Sequence, residues 1–158
     1  MRDVERMKVF VTGAGGFIGS HFVEHALAQG HEVAGIYRTD SPPRREMLAR
    51  LRAAGADLRQ GDVTDAVSVR TALREADAVC HFAAAFTESG ENASFFQRVN
   101  VLGTRNVASI AAERGVRRFV HCSTAGIYGR SVAGAIDEDS PTRPWNEYER
   151  SKIGRAHV

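Results

Sequence analysis

The sequence predicts an α/β domain built on a doubly wound parallel sheet with helices on both faces, and three observations carry that expectation. Short runs of β-branched and aromatic residues alternate with amphipathic stretches along the whole chain, with no repeat, low-complexity tract or linker. The first apolar run passes directly into Gly13-Ala-Gly-Gly-Phe-Ile-Gly19, a glycine-rich turn that opens a helix. Polar or small residues then fall where each predicted strand ends, the edge along which open α/β sheets bind their ligands.

Lys8-Val-Phe-Val-Thr12 gives the first strand, near residues 7–12. Gly13, Gly16 and Gly19 follow with the spacing G-x-x-G-x-x-G; the commoner G-x-G-x-x-G form beginning at Gly13 would need glycine where Ile18 stands. Glycines at these places let the chain turn sharply, let an anion approach the amides of a helix N-terminus, and let helix pack closely on strand. Between a strand and a helix, such a turn favours a dinucleotide site. The helix over 17–29 stops at Gly30, and a second strand near 32–38 ends at Arg38. A helix over 43–54, a strand near 57–61 leading to Asp62, and a helix over 65–75 follow. The fourth strand, near 77–83, runs into Ala83-Ala84-Ala85; a long helix over 93–114 leads to a fifth strand near 117–123 that ends at Ser123-Thr124.

The last helix, over 146–158, carries Tyr148-Glu-Arg-Ser-Lys152, and Lys152 is one of only two lysines in a chain that otherwise takes its positive charge from arginine. A spacing of four puts phenol and ammonium on one helix face, where the cation lowers the tyrosine pKa and makes it a proton donor and acceptor near neutral pH. Alone, the pair also describes an exposed helix surface. The glycine turn at the other end of the chain gives it weight.

Composition agrees with one α/β domain spanning residues 1–158: 43% hydrophobic and 25% charged residues can bury a single core. A net charge of +2 with dispersed arginines gives no nucleic-acid surface, and Arg44-Arg45 and Arg117-Arg118 read as solvated faces or loop ends. No segment reaches the length of a membrane span, and Met1-Arg-Asp-Val-Glu-Arg lacks the apolar core of a signal peptide, so a cytoplasmic location is expected. Cys80 and Cys122 are too few and too far apart for a metal motif and read as reduced core thiols; no metal is expected.

The set Thr12-Gly-Ala-Gly-Gly-Phe-Ile-Gly19, Gly61-Asp62-Val-Thr-Asp65, His81-Phe-Ala-Ala-Ala85, Asn100-Val-Leu-Gly-Thr104, Ser123-Thr-Ala-Gly-Ile-Tyr-Gly129 and Tyr148-x-x-x-Lys152 resembles the extended short-chain dehydrogenases/reductases, the NAD(P)-dependent epimerases and dehydratases. The likeness follows the family's order over essentially the whole chain and implies a Rossmann-like fold. It implies that Tyr148 is the acid/base, that Lys152 binds the nicotinamide ribose and keeps the tyrosine acidic, and that Thr124, with Ser123 as fallback, hydrogen-bonds the reacting oxygen. Asn100 falls where the family has an asparagine supporting the active site; an ordinary helix cap or polar core contact is the alternative. Cofactor contacts are implied at Gly13, Gly15, Gly16, Phe17, Ile18, Gly19, Arg38, Asp62, Val63, Phe82, Ala83, Ala84 and Ala85, besides Tyr148 and Lys152, with Asp62 accepting from the adenine amino group. Tyr128 belongs to a structural turn.

NAD-preferring members carry an acid at the position held here by Tyr37, and the next residue is Arg38, whose guanidinium suits a 2′-phosphate; NADP is therefore expected ahead of NAD, with Asp40 as the residue that could still serve the ribose. The chain ends at Val158, six residues after Lys152, so it reads as the cofactor-binding part of such an enzyme, a fragment or a short product, truncated before the substrate region. The fifth strand would then be an open edge. The expected activity is hydride transfer at a secondary alcohol or ketone of a small-molecule substrate, such as a nucleotide sugar. A non-catalytic dinucleotide-binding regulator, an inactive fragment of such an enzyme and an interaction module are the alternatives. A homodimer through the long helix is expected, although its apolar Phe96, Val99, Val107 and Ile110 could serve either the sheet or a partner.

Overall fold

A computed structural model describes residues 5–86, 93–130 and 134–153 of the chain. Five parallel strands, β1 (Lys8–Thr12), β2 (Glu32–Tyr37), β3 (Asp57–Gln60), β4 (Ala78–His81) and β5 (Arg118–His121), lie in the order β3-β2-β1-β4-β5. β1 pairs with β2 on one side and β4 on the other, so the strand order reverses beside β1 and opens a crevice at the carboxyl ends of these strands.

Helices α1 (Phe17–Ala28) and α2 (Pro42–Ala53) cover one face, and α3 (Ala66–Ala72) and α5 (Gly103–Glu113) the other. Alternation along β1 divides the core: Val9 and Val11 face Val23, Leu48 and Leu51, whereas Phe10 joins Val69, Val107 and Ile110. Both faces are dry, which is why the inner strands read as continuous apolar runs. β5 differs: it pairs only with β4, and Val120 is 51% exposed. Phe96, Val99, Val107 and Ile110 are all buried in the core, so the sheet side claims them.

The expected long helix is three pieces: a single turn α4 (Ala93–Phe96), a π-helical segment Gln97–Leu102, and α5. β4 and β5 each end two residues before the sequence expectation, at His81 and His121, although the Phe82 and Cys122 amides still donate to the Thr12 and His81 carbonyls. α3 stops at Ala72, and the last helix, α6 (Glu147–Lys152), is capped by the Asn146 side chain on the Glu149 amide. The expected continuation over 154–158 lies outside the described residues, as do the first four residues. Cys80 is buried as expected, but Cys122 is only half-buried, since it follows the edge strand β5. Among the described residues no helix is long and apolar enough to cross a membrane.

Candidate functional site

The glycine turn is shaped by contacts that no side chain would survive. Gly13 adopts φ +69°, and a Cβ there would stand 2.8 Å from the Ala83 amide nitrogen. Gly19, one turn into α1, would drive its Cβ to 2.2 Å from the Gly13 carbonyl oxygen. The Gly16 amide donates to that same carbonyl at 2.8 Å and closes the turn. Gly16 caps α1 without a side chain, which leaves the first-turn amides to an anion.

From this turn a groove runs across the strand ends. It is lined by Gly13, Gly15 and Gly16 of the turn, by Arg38, Thr39 and Arg44 from the segment after β2, by Asp62 and Val63 after β3, and by Phe82, Ala83 and Ala84 after β4. The remaining turn residues are placed otherwise: Gly19 packs behind the turn, whereas Phe17 and Ile18 are exposed on the first turn of α1. Ala85 is buried beyond the groove. One oxygen of Asp62 accepts from the Thr64 amide at 2.8 Å, which orients the carboxylate and leaves its second oxygen for a ligand.

Tyr37, at the acid position of β2, is turned into the core: it is 7% exposed, its ring lies under Arg52, and its hydroxyl accepts from that guanidinium at 2.8 Å. Arg38 is exposed at the groove, and Asp40 pairs with Arg45 at 3.2 Å. Arg44, read from sequence as a solvated residue, instead lines the groove beside Arg38. The signal for it was available: it sits in the first turn of the helix that follows β2, and that turn contains no acid.

The second half of the site gathers at β5 and α6. Thr124 caps the short 3-10 turn Ala125–Tyr128, its hydroxyl oxygen accepting from the Gly126 amide at 3.3 Å, so its hydrogen can still be donated. Ser123 donates to the Lys152 carbonyl at 2.7 Å and thereby ties β5 to α6, an anchoring contact that leaves Thr124 as the better donor to a ligand. Tyr148 is half-buried, with the edges of Phe86 and Phe96 packed against its ring at centroid distances of 5.4 and 6.0 Å. Tyr128, in the turn between them, is half-buried. Asn100, in the π segment, is 2% exposed; its side-chain oxygen accepts from the Ala85 amide, and its NH2 donates to the Ala85 carbonyl and to Ser151 Oγ. It is a core contact and a support of the Tyr–Lys helix at once.

The expected electrostatics of the pair are corrected. Burial raises the Tyr148 pKa above its ordinary value, with the Cys122 thiol and Glu149 adding to the effect. Burial also lowers that of Lys152, 4% exposed, against a smaller opposing effect of Cys122. The charge of Lys152 adds to the lowering of the His81 and His121 pKa values, whereas burial, the Cys122 thiol and Glu149 are what raise that of the phenol. The helical spacing put the two residues on one face but did not decide which neighbours each side chain meets.

Comparison with known proteins places this geometry among relatives. The chain is 36% identical over 96% of its length to sterol demethylase protein B of Methylococcus capsulatus, and 37% identical over 92% to a dTDP-glucose 4,6-dehydratase of Streptomyces antibioticus, covering 45% and 46% of those proteins. The crystal structure of the Bordetella bronchiseptica enzyme WbmG in complex with NAD superposes with a TM-score of 0.83 at 36% identity, over 94% of this chain and 47% of that one. The chain thus spans about half the length of the relatives it matches. Residues 9–157 match the family model of the same group, and the chain belongs to the NAD-dependent epimerase/dehydratase family.

Proposed function

We propose that this chain is the dinucleotide-binding and proton-transfer part of an NAD(P)-dependent oxidoreductase, epimerase or dehydratase acting at a secondary alcohol or ketone. The observation that carries the reading is the glycine turn, with no room for a side chain at Gly13 or Gly19, opening onto a groove lined by the ends of three further strands. When bound, the nicotinamide supplies the hydride donor or acceptor. The amides at the start of α1 would receive the pyrophosphate, and the second oxygen of Asp62 would accept from the adenine amino group beside Val63. Thr124 would donate its hydroxyl hydrogen to the reacting oxygen, Tyr148 would exchange a proton with it, and Lys152 would hold the ribose. A tyrosine whose pKa is raised by burial is protonated at neutral pH, which suits it to the acid half of that exchange. Retention of Thr124, Tyr148 and Lys152 together favours an enzyme over a dinucleotide sensor, which needs no proton donor. The relatives' names run from a sugar-nucleotide dehydratase to a sterol demethylase protein, which supports a nucleotide sugar without narrowing the substrate to it.

The cofactor reading is NADP ahead of NAD. Arg38 and Arg44 both line the groove, Tyr37 is buried where an acid would hold ribose hydroxyls, and Asp40 is engaged by Arg45. NAD in the Bordetella enzyme leaves this as a property of these arginines. A homodimer is also proposed, through the outer face of the long helix around Leu102, 45% exposed; sedimentation as a monomer at high concentration would remove it. Fluorescence titration with NADPH and NADH tests the cofactor reading: Arg38→Ala should weaken NADPH by about 1.5–3 kcal/mol, roughly 10- to 150-fold, and leave NADH unchanged. Equal affinities untouched by the substitution overturn the preference. Failure to bind either cofactor overturns the function.

A further inference from the structure

A chain of buried hydrogen bonds joins the two halves of the site, and several of its members have no part in the chemistry above. The Ala83 amide donates to Thr12 Oγ1 at 3.2 Å, and Thr12 Oγ1 lies 2.7 Å from His81 Nδ1. His81 Nε2 lies 2.9 Å from Thr104 Oγ1, which donates to the Asn100 carbonyl at 2.5 Å. The Asn100 amide then reaches Ala85 and, at 2.8 Å, Ser151 Oγ, which donates to the Tyr148 carbonyl at 2.6 Å. Thr12 and His81 are wholly buried, and Thr104 and Ser151 nearly so.

Counting hydrogens fixes the direction of the chain. Thr104 has one hydroxyl hydrogen and gives it to Asn100, so toward His81 it can only accept, and Nε2 must carry the proton. Nδ1 is then bare and accepts from the Thr12 hydroxyl, whose oxygen accepts from Ala83. Burial, aided by His121 and Lys152, lowers the His81 pKa to about 3, so the imidazole is neutral in the physiological range. The bond from Thr104 to Asn100 lies at the junction of the π segment with α5, where the long helix departs from regular winding.

We propose that His81 and Thr104 are positioning residues for Tyr148 and Lys152: they hold the π segment so that Asn100 clamps Ser151, and with it the Tyr–Lys turn, against the loop leaving β4. The proposal rests on the reading of Tyr148 and Lys152 as the proton-transfer pair, but its test needs neither cofactor nor substrate. The ionisable groups facing the pair are Cys122 and Glu149 at Tyr148, and Cys122, His121 and His81 at Lys152.

In the purified chain, nitrogen NMR should find His81 as the Nε2–H tautomer. Thr104→Val breaks one link with little change of volume. As α6 gains water, the Tyr148 titration midpoint should fall and that of Lys152 rise, each by roughly half a pKa unit or more. Thr104→Ser restores the hydroxyl and should return both midpoints to the wild-type values. Ser151→Ala cuts the far end of the chain, away from His81 and Thr104, and should shift the midpoints in the same direction as Thr104→Val. Unmoved midpoints in Ser151→Ala and Thr104→Val, a Thr104→Ser that does not restore them, or the Nδ1–H tautomer at His81 would overturn the proposal. Loss of cofactor binding by the wild-type chain would instead sink the proposed function and leave these titrations readable.

Discussion

The turn at Gly13–Gly19 and the helix carrying Tyr148 and Lys152 both stand at the carboxyl end of the sheet, yet different forces hold them. The turn is a backbone object: Gly16 bonds Gly13, Ser20 bonds Gly16, and the close approaches at Gly13 and Gly19 are to main-chain atoms. It grows from β1, which is paired on both sides. The Tyr–Lys helix has six residues and hangs from side chains: Ser123 reaches its end across 29 residues of sequence and Asn100 reaches Ser151 across 51. Its neighbour β5 is paired on one side only. The glycine turn is therefore fixed by sterics, which tolerate no side chain at Gly13 or Gly19. The Tyr–Lys helix is fixed by hydrogen bonds, which can be loosened one at a time.

The sharpest way to break this comparison is at Gly19. Alanine there meets an immovable carbonyl, so Gly19→Ala should destabilise the chain by about 3 kcal/mol or more in urea unfolding. Gly30→Ala is the control: at φ +84° with nothing within 4 Å of its Cβ, it should cost only about 1–2 kcal/mol. If the two cost the same, backbone sterics are not what shapes the turn.

The second test is acid, and it acts on the β4–β5 side. His81 and His121 have folded pKa values lowered to about 3 and about 4, both chiefly by burial, and their rings stack at 5.5 Å. The unfolded chain binds these protons near the ordinary histidine value, so the stability from neutral imidazoles is present above that value and is lost as pH falls toward the folded ones. Unfolding free energy should drop by about 1 kcal/mol per histidine for each pH unit below roughly 6. Glu75 is held low by the Lys8 ammonium, Asp77 first by the Lys8 backbone amide and then by Arg117, and Glu113 by Arg70, so these carboxylates respond at lower pH. A flat stability curve between neutral pH and pH 5 would refute the account of a buried His81 and a half-buried His121 that are both neutral.

The smallest expected effect on stability is at Tyr148, the proposed acid/base. Tyr148 touches Phe86 and Phe96 through its ring, and its hydroxyl has no hydrogen bond to a described residue. Tyr148→Phe should leave stability within about 0.5 kcal/mol and cofactor affinity nearly unchanged, while abolishing turnover in a chain that carries the substrate region. Near-normal turnover would remove Tyr148 from the acid/base role. A large stability loss would mean that the phenol, like Asn100, is part of the frame.

What the sequence by itself determined is whatever depends on local sterics and periodicity. Five strands and their helices follow from the alternation of apolar runs, and the turn follows from its glycines, because at Gly13 and Gly19 only a residue without Cβ fits the approaches. The approach of Asp62, Ala83 and Ala84 to that turn follows from parallel strands ending on one edge. Only the tertiary structure decided the neighbours of each side chain. It turned Tyr37 inward and brought Arg44 to the groove, committed Ser123 to the Lys152 carbonyl, and set burial rather than the ammonium in control of Tyr148. It also broke the long helix into a π segment around Asn100, whose partners Ala85 and Ser151 lie 15 and 51 residues away. Spacing along a helix fixes the face on which a residue lies. Which groups meet it there depends on contacts made across the fold, and those determine both its hydrogen bonds and its protonation.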